Sequence, residues 1–410
     1  MPLIQASIEQ LRVGHFVHLP GGWKNHPFMF NAFKIKDEDQ LNIIRHLDST
    51  MLVMVDTDKS DLPLEPLIRG EVIEEAPPPP QIDEPSGPPP FDEKAFRRSM
   101  RVAEKAFSQS VSELRDALGA LNLKPDEGLA NTAQIVRNAA AQIALHEGPL
   151  GLHLIRSTHT DVLLQHSLNV AYLAMLIARE LGMNPVEIEE VGLAGLIHDI
   201  GELRVPTQIT QKRGELSKAE INFLRMHPQY GFEMLAQLKA FEPKVRAVAI
   251  QHHERLDGSG YPKGLKGEEI SPLARLIGLV DYYDELLHPR MSGFPAPPNQ
   301  VVSQLFKQSQ GKFEPDQVKL LIKILGIYPP GTLVQLSDES IALVLSSEPS
   351  STLKPKILPY IKGQRPEGVA MVDLKEDERT IVRACLIEEL DEAQRQFFNL
   401  TRRFSYYFAF

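Results

Sequence analysis

The stretch Val191-Gly192-Leu193-Ala194-Gly195-Leu196-Ile197-His198-Asp199-Ile200-Gly201 decides how this chain reads. An apolar run, read as the buried end of a helix, leads directly into a histidine and an aspartate. Burying a charge is costly unless something compensates it, so the pair calls for a cation. Other candidate ligands stand on both sides: His166 upstream, then His227, the adjacent pair His252-His253, and Asp281. Together these are five imidazoles and two carboxylates, more than one ion needs. A set of this kind suits iron, manganese or zinc, and its size points to two ions.

Composition narrows the class. A chain of 410 residues with 42% hydrophobic and 24% charged residues has material for two or three domains and a substantial core. The formal charge of -10 disfavours a groove for long DNA or RNA, yet leaves room for a small anionic nucleotide at a local positive site. A single cysteine, Cys385, excludes an internal disulfide and is compatible with a reducing compartment. Met1-Pro2-Leu3-Ile4-Gln5 lacks the basic and apolar regions of a signal peptide, and no uninterrupted apolar stretch is long enough to span a bilayer. The expectation is a cytoplasmic protein without membrane insertion.

Outward from the His-Asp pair, the chain divides by pattern. Residues 1–70 read as a small α/β unit, with strand-like runs at Val13–Val17 and Met51–Val55 and a helix start at Asp37-Glu38-Asp39. Trp23 is read as a core anchor of that unit. Residues 71–91 form a proline-rich spacer carrying Pro77-Pro78-Pro79-Pro80 and Pro88-Pro89-Pro90. Residues 92–150 are a helical connector whose stripe Phe96, Met100, Ala103, Phe107, Val111 and Leu114 could pack on the next domain or support a homodimer. Residues 151–330 are a run of helices bearing the ligand candidates on at least four helices or their ends, the usual construction of a metal site in a bundle. Asn184-Pro185, Ser217 with Glu220, and Ser271-Pro272 mark helix starts within it, and one helix is expected to lead into His227. In residues 331–410 a hairpin spans Thr332–Leu336 and Ile341–Leu345, a helix is expected over 376–403, and the aromatic tail Phe404–Phe410 docks on the body or on a second subunit.

The strongest motif is His252-His253-Glu254-Arg255-Leu256-Asp257-Gly258-Ser259-Gly260-Tyr261-Pro262. With it the sequence resembles the HD-GYP family, a branch of the HD phosphohydrolase superfamily. The likeness continues through Gly264–Ile270, Ala274-Arg275 and Asp281-Tyr282-Tyr283-Asp284. Residues 1–70 resemble the small domain of unknown function that often precedes HD-GYP. The resemblance implies a mainly α protein, an HD-type helical bundle with a small N-terminal α/β domain and a short C-terminal β-hairpin and helix extension. It implies two divalent ions, commonly iron or manganese, and hydrolysis of cyclic di-GMP, or in some members cyclic GMP-AMP, to the linear dinucleotide or mononucleotides. Carried over by motif, the metal ligands are His166, His198, Asp199, His227, His252, His253 and Asp281, with Asp199 bridging the ions and the His198-Asp199 pair at the catalytic centre. Gly260 and Tyr261 would shape the substrate mouth or dock a diguanylate cyclase, and Arg290 would clamp a phosphate. Asp284, one helical step from Asp281, would orient a ligand histidine.

The chain departs from the family pattern in three places. Members with a third ion carry Glu four residues before the first histidine; Val162 stands there, so two ions are expected. Glu202 replaces the usual lysine after the HD motif, and Gly293 replaces a basic residue three positions after Arg290. Lys212 or Arg213 could compensate for the lost cations. These changes keep a second reading open, a catalytically weak module that binds nucleotide or protein partners.

Overall fold

The computed structural model describes residues 3–7, 11–18, 32–35, 41, 52–57, 59–62, 90–121, 124–146, 150–156, 161–212, 214–238, 241–289, 295–400 and 403–409. The Trp23 cluster, the helix start at Asp37 and the spacer from Pro77 to Pro89 lie outside these residues, as do Arg213, Arg290 and Gly293. The chain forms two compact units, Met1–Gly87 and Pro88–Phe410.

In the first unit, β1 (Leu3–Ser7), β2 (Phe16–His18), β3 (Ala32–Lys34) and β4 (Leu52–Asp56) form an antiparallel sheet in the order β1-β4-β2-β3. Ala6, Val17, Val53 and Val55 on one face join Leu11, Ile35 and Leu41 in a small core. The strand expected from Val13 begins only at Phe16, because Gly14 has φ +102° and turns the chain.

The second unit is mainly helical. Its connector is a helical hairpin of α1 (Glu93–Leu121) and α2 (Pro125–Leu145). All six residues of the α1 stripe are buried against the unit's own body. The bundle comprises α3 (Val162–Glu180), α4 (Pro185–Ile197), a single turn α5 (Thr207–Thr210), α6 (Lys218–Leu224), α7 (His227–Ala236), α8 (Pro243–Gln251), α9 (Pro272–Leu287), α10 (Pro298–Gln308) and α11 (Pro315–Leu325). Asn184 with Glu187, and Ser217 with Glu220, form the capping boxes that begin α4 and α6, while Ser271 caps α9. The α6 helix stops at Leu224, so His227 opens a new helix rather than ending one. Pro228 in the first turn favours that start. Among the described residues one helix, α3, is long and apolar enough to cross a bilayer; it is mostly buried as the central helix of this core.

The end of the chain differs from its sequence reading. The hairpin is present as β6 (Leu333–Leu336) and β7 (Ile341–Ser347), but it belongs to a seven-stranded sheet with β5 (Gly151–Ile155), β8 (Lys356–Pro359), β9 (Val372–Asp373), β10 (Ile381–Cys385) and β11 (Ser405–Ala409). The helix expected over 376–403 shrinks to α12 (Glu392–Phe398), capped by Asp391 and ended by Asn399 at φ +43°. Ahead of it, Ile381–Cys385 pairs with β6, where β-branched residues fit a pleated surface better than a helix. The aromatic tail docks on the body: β11 pairs with β5 from Ser405↔Ile155 to Ala409↔Gly151, and Tyr406, Tyr407 and Phe408 are buried.

Candidate metal centre

The apolar run ends on the two candidate ligands. His198 closes α4, and Asp199 precedes a 3-10 turn over Ile200–Arg204 that packs on α7. Around Asp199 the bundle gathers His166 from α3, His227 from the start of α7, His252 and His253 from the end of α8, and Asp281 from α9. All seven residues are buried.

The Asp199 carboxylate faces two histidine pairs. Its Oδ1 lies 3.1 Å from His227 Nε2 and 3.3 Å from His252 Nε2. Its Oδ2 lies 3.4 Å from His166 Nε2 and 3.5 Å from His198 Nε2. Asp281 Oδ1 approaches His166 at 3.2 Å, while Asp281 Oδ2 stands 3.5 Å from His253 Nδ1.

Backbone carbonyls fix the orientation of three rings. His198 Nδ1 donates to Gly195 O at 2.7 Å, His227 Nδ1 to Leu224 O at 2.8 Å, and His252 Nδ1 to Val248 O at 3.0 Å. A carbonyl only accepts, so the Nε2 atoms are left to face the centre. His166 is turned likewise by Asp284, whose Oδ2 lies 2.7 Å from its Nδ1. The result is two Nε2···Nε2 approaches of 3.2 Å, His166 to His198 and His227 to His252. Two lone pairs do not meet at that distance without a proton or cation between them. Buried Asp281 Oδ2 also has no hydrogen-bond donor. The donor set therefore fits divalent cations.

Electrostatics agree. Burial opposes charge on His227, yet the Asp199 carboxylate beside it pushes its pKa up to about 9. Burial likewise opposes ionisation of Asp199 and Asp281, but neighbouring histidines hold both well below the carboxylate range. Burial lowers the pKa of His252 and His253, keeping both rings neutral and able to coordinate. Metal binding at such a cluster exchanges protons for cations.

Close packing makes this geometry possible. A Cβ at Gly201 would stand 2.0 Å from His227 O, and one at Gly278 would stand 2.2 Å from His252 O. Glycine lets the 3-10 turn and α9 reach the backbone of the two histidines. Gly260 acts similarly, as a Cβ there would lie 2.4 Å from Glu254 Cα. Buried Glu254 accepts from Lys263 N at 2.7 Å and Leu265 N at 2.9 Å, tying the glycine loop down. Tyr261 is thereby laid over His253, its ring 4.6 Å away and 22° from parallel, with the Arg225 guanidinium 5.0 Å from the tyrosine ring.

Glu202 is half-buried on the 3-10 turn, and its charge favours protonated His227. Lys212 is engaged by Glu220, Nζ to Oε2 2.7 Å.

Reading the sequence missed four neighbours of the centre. Glu285 stands exposed at the rim, yet its carboxyl lies within 4.8 Å of ligand atoms of His253 and Asp281. The crowding there, with the Asp281 charge, pushes its pKa up to about 8. Its position four residues after Asp281 was an available signal. Asn169, three residues after His166, gives its Nδ2 to Asp284 at 2.8 Å. His288, four residues after Asp284, lies 3.3 Å from it. Arg403, also paired with Asp284, is too remote in sequence for any spacing rule to find.

A mainly helical bundle with a buried His/Asp centre defines the class: HD-domain hydrolases. A family model described as an HD domain matches residues 151–316, and one described as a domain of unknown function (DUF3391) matches residues 3–131. The chain is 32% identical to a cyclic di-GMP phosphodiesterase of Pseudomonas aeruginosa over 371 residues, 88% of this chain and 86% of that protein. It is 40% identical to 3'3'-cGAMP-specific phosphodiesterase 1 of Vibrio cholerae over 126 residues, 31% of this chain and 29% of that protein. A solved Bdellovibrio bacteriovorus protein of HDGYP type aligns with 79% of this chain and 99% of its own length, at 17% identity and a TM-score of 0.43. This chain belongs to the HD-GYP branch of the HD-domain family.

Proposed function

We propose that the protein is a cytoplasmic dimetal phosphodiesterase that hydrolyses cyclic di-GMP to the linear dinucleotide or to GMP. The observation carrying this reading is the Asp199 carboxylate with one oxygen toward each histidine pair, the arrangement that two neighbouring ions require. His166 and His198 would hold one ion with Asp199 Oδ2, and His227 and His252 the other with Oδ1. His253 and Asp281 would complete the set on the side facing Tyr261. Iron and manganese suit these nitrogen and oxygen donors.

Bound ions at such a site neutralise phosphate charge and supply an activated water as nucleophile. The chain's own residues prepare the place for this. Burial of the ligands excludes bulk water and strengthens electrostatic interactions. The carbonyl-bonded rings keep their Nε2 atoms aimed inward without reorganising. Tyr261, laid on His253 with the Arg225 guanidinium over its ring, would line the mouth with an aromatic edge and a cation for the substrate. This inward placement favours a role in substrate binding over docking of a cyclase. Arg290 would clamp a phosphate.

A second substrate, cyclic GMP-AMP, is supported by the 40% identity to the Vibrio protein. Turnover of the two cyclic dinucleotides, measured side by side on manganese-loaded protein, separates the readings. Faster hydrolysis of cyclic di-GMP supports the first, and hydrolysis of neither leaves a binding module.

A further inference from the structure

The last strand of the chain lies outside the matched HD domain, yet it reaches the neighbours of His166. Buried Asp284 holds His166 Nδ1 at 2.7 Å and also accepts from Asn169 Nδ2 at 2.8 Å. Its third contact, a permanent cation, is the Arg403 guanidinium, just before β11. From the next residue, Phe404 N donates to His288 Nε2 at 3.1 Å, and His288 Nδ1 in turn faces Asp284 Oδ1 at 3.3 Å. Asn169 is gripped twice: its Nδ2 donates to Phe404 O at 3.3 Å, and its Oδ1 accepts from Tyr406 N at 3.3 Å. Residues 403–406 thus touch Asp284, which holds His166, and its two other partners, His288 and Asn169.

We infer that Arg403 is a positioning residue of the metal centre, acting through Asp284 on His166. A fully buried carboxylate keeps its charge and place only with a cation beside it. That charge, hydrogen-bonded to Nδ1, fixes the ring and raises the basicity of Nε2, as carboxylates behind metal-bound histidines do. The C-terminal strand is therefore part of the site and not an appendage to it. The inference rests on the proposed role of His166 as a ligand.

The test is Mn2+ binding to the full chain, followed by titration and by metal analysis, in the wild type, Arg403→Met, Arg403→Lys and Tyr406→Phe, with a thermal melt of each metal-free protein. Arg403→Met is expected to weaken Mn2+ binding roughly 10- to 100-fold, with Arg403→Lys recovering part of the loss. Tyr406→Phe removes the hydroxyl that β11 sets against Tyr283 of α9 and Pro330 O, and leaves the Tyr406 N bond to Asn169 and every contact of Asp284 in place. It should lower the melting temperature and leave Mn2+ binding unchanged. Wild-type affinity in Arg403→Met overturns the inference, as does an equal loss in Tyr406→Phe, which would make the strand a merely structural support. A wild type that takes up no Mn2+ sinks the metal-centre reading itself.

Discussion

Gly201 has no side chain because His227 leaves no room for one: a Cβ there would stand 2.0 Å from the His227 carbonyl oxygen. The contact joins the turn after Asp199 to the helix that begins at His227, two residues whose side chains meet at 3.1 Å in the centre. Gly201→Ala must push these elements apart. Overpacking of this kind costs about 1–3 kcal/mol, and a shift of a few tenths of an ångström spoils coordination geometry. Urea unfolding should report the lost stability, and metal analysis a content well below that of the wild type. Full metal content in Gly201→Ala would show that the close approach is not needed.

Glu202 places a negative charge on the same turn, near His227. In the proposed function a cyclic dinucleotide would bring two phosphates to this region. A unit charge about 8 Å from a phosphate is worth about 2 kcal/mol at an effective dielectric near 20. Glu202→Lys should therefore lower KM for cyclic di-GMP by at least roughly 10-fold, an effect that shrinks in high salt. Steady-state kinetics at two ionic strengths check this, and a raised KM would mean the site is adapted to the carboxylate.

The clustering of the seven candidate ligands was legible in the sequence because metal chemistry restricts residue type, and His and Asp closing apolar runs stand out. Helix starts were legible for a similar reason, since Asn184, Ser217 and Ser271 each cap the helix they precede. The far end of the chain was not. Ile381–Cys385 reads as part of a helix until β6 is beside it, as strand pairing is a long-range choice. Nothing in the sequence marks Arg403, and only the fold reveals that Asp284 lies next to it. Glu285 was within reach of a spacing argument but was passed over, because its exposed position depends on the rim that packs around it.

Stability should carry a signature of His153, in β5. Its ring is buried between Ser99 Oγ at 2.9 Å and Ser346 Oγ at 3.1 Å. Burial, with the Lys356 charge, lowers its pKa from 6.5 to about 3. The unfolded chain thus binds a proton that the folded chain refuses. The stability held above pH 6.5 is lost as pH falls from 6.5 toward 3, at up to about 1.4 kcal/mol per pH unit. Urea midpoints at pH 7.5 and 5 should fall further in the wild type than in His153→Gln. Parallel falls would show that His153 takes up its proton without cost.

The central claim is that Asp199 unites two ions into a phosphodiesterase centre. The most direct test measures cyclic di-GMP turnover by protein purified without oxygen, with iron and manganese counted in the same sample, beside Asp199→Ala. Two metals per chain and turnover in the wild type, both lost in Asp199→Ala, are the expected result. A wild type holding two metals with no turnover of either cyclic dinucleotide would contradict the account, leaving a binding module in its place.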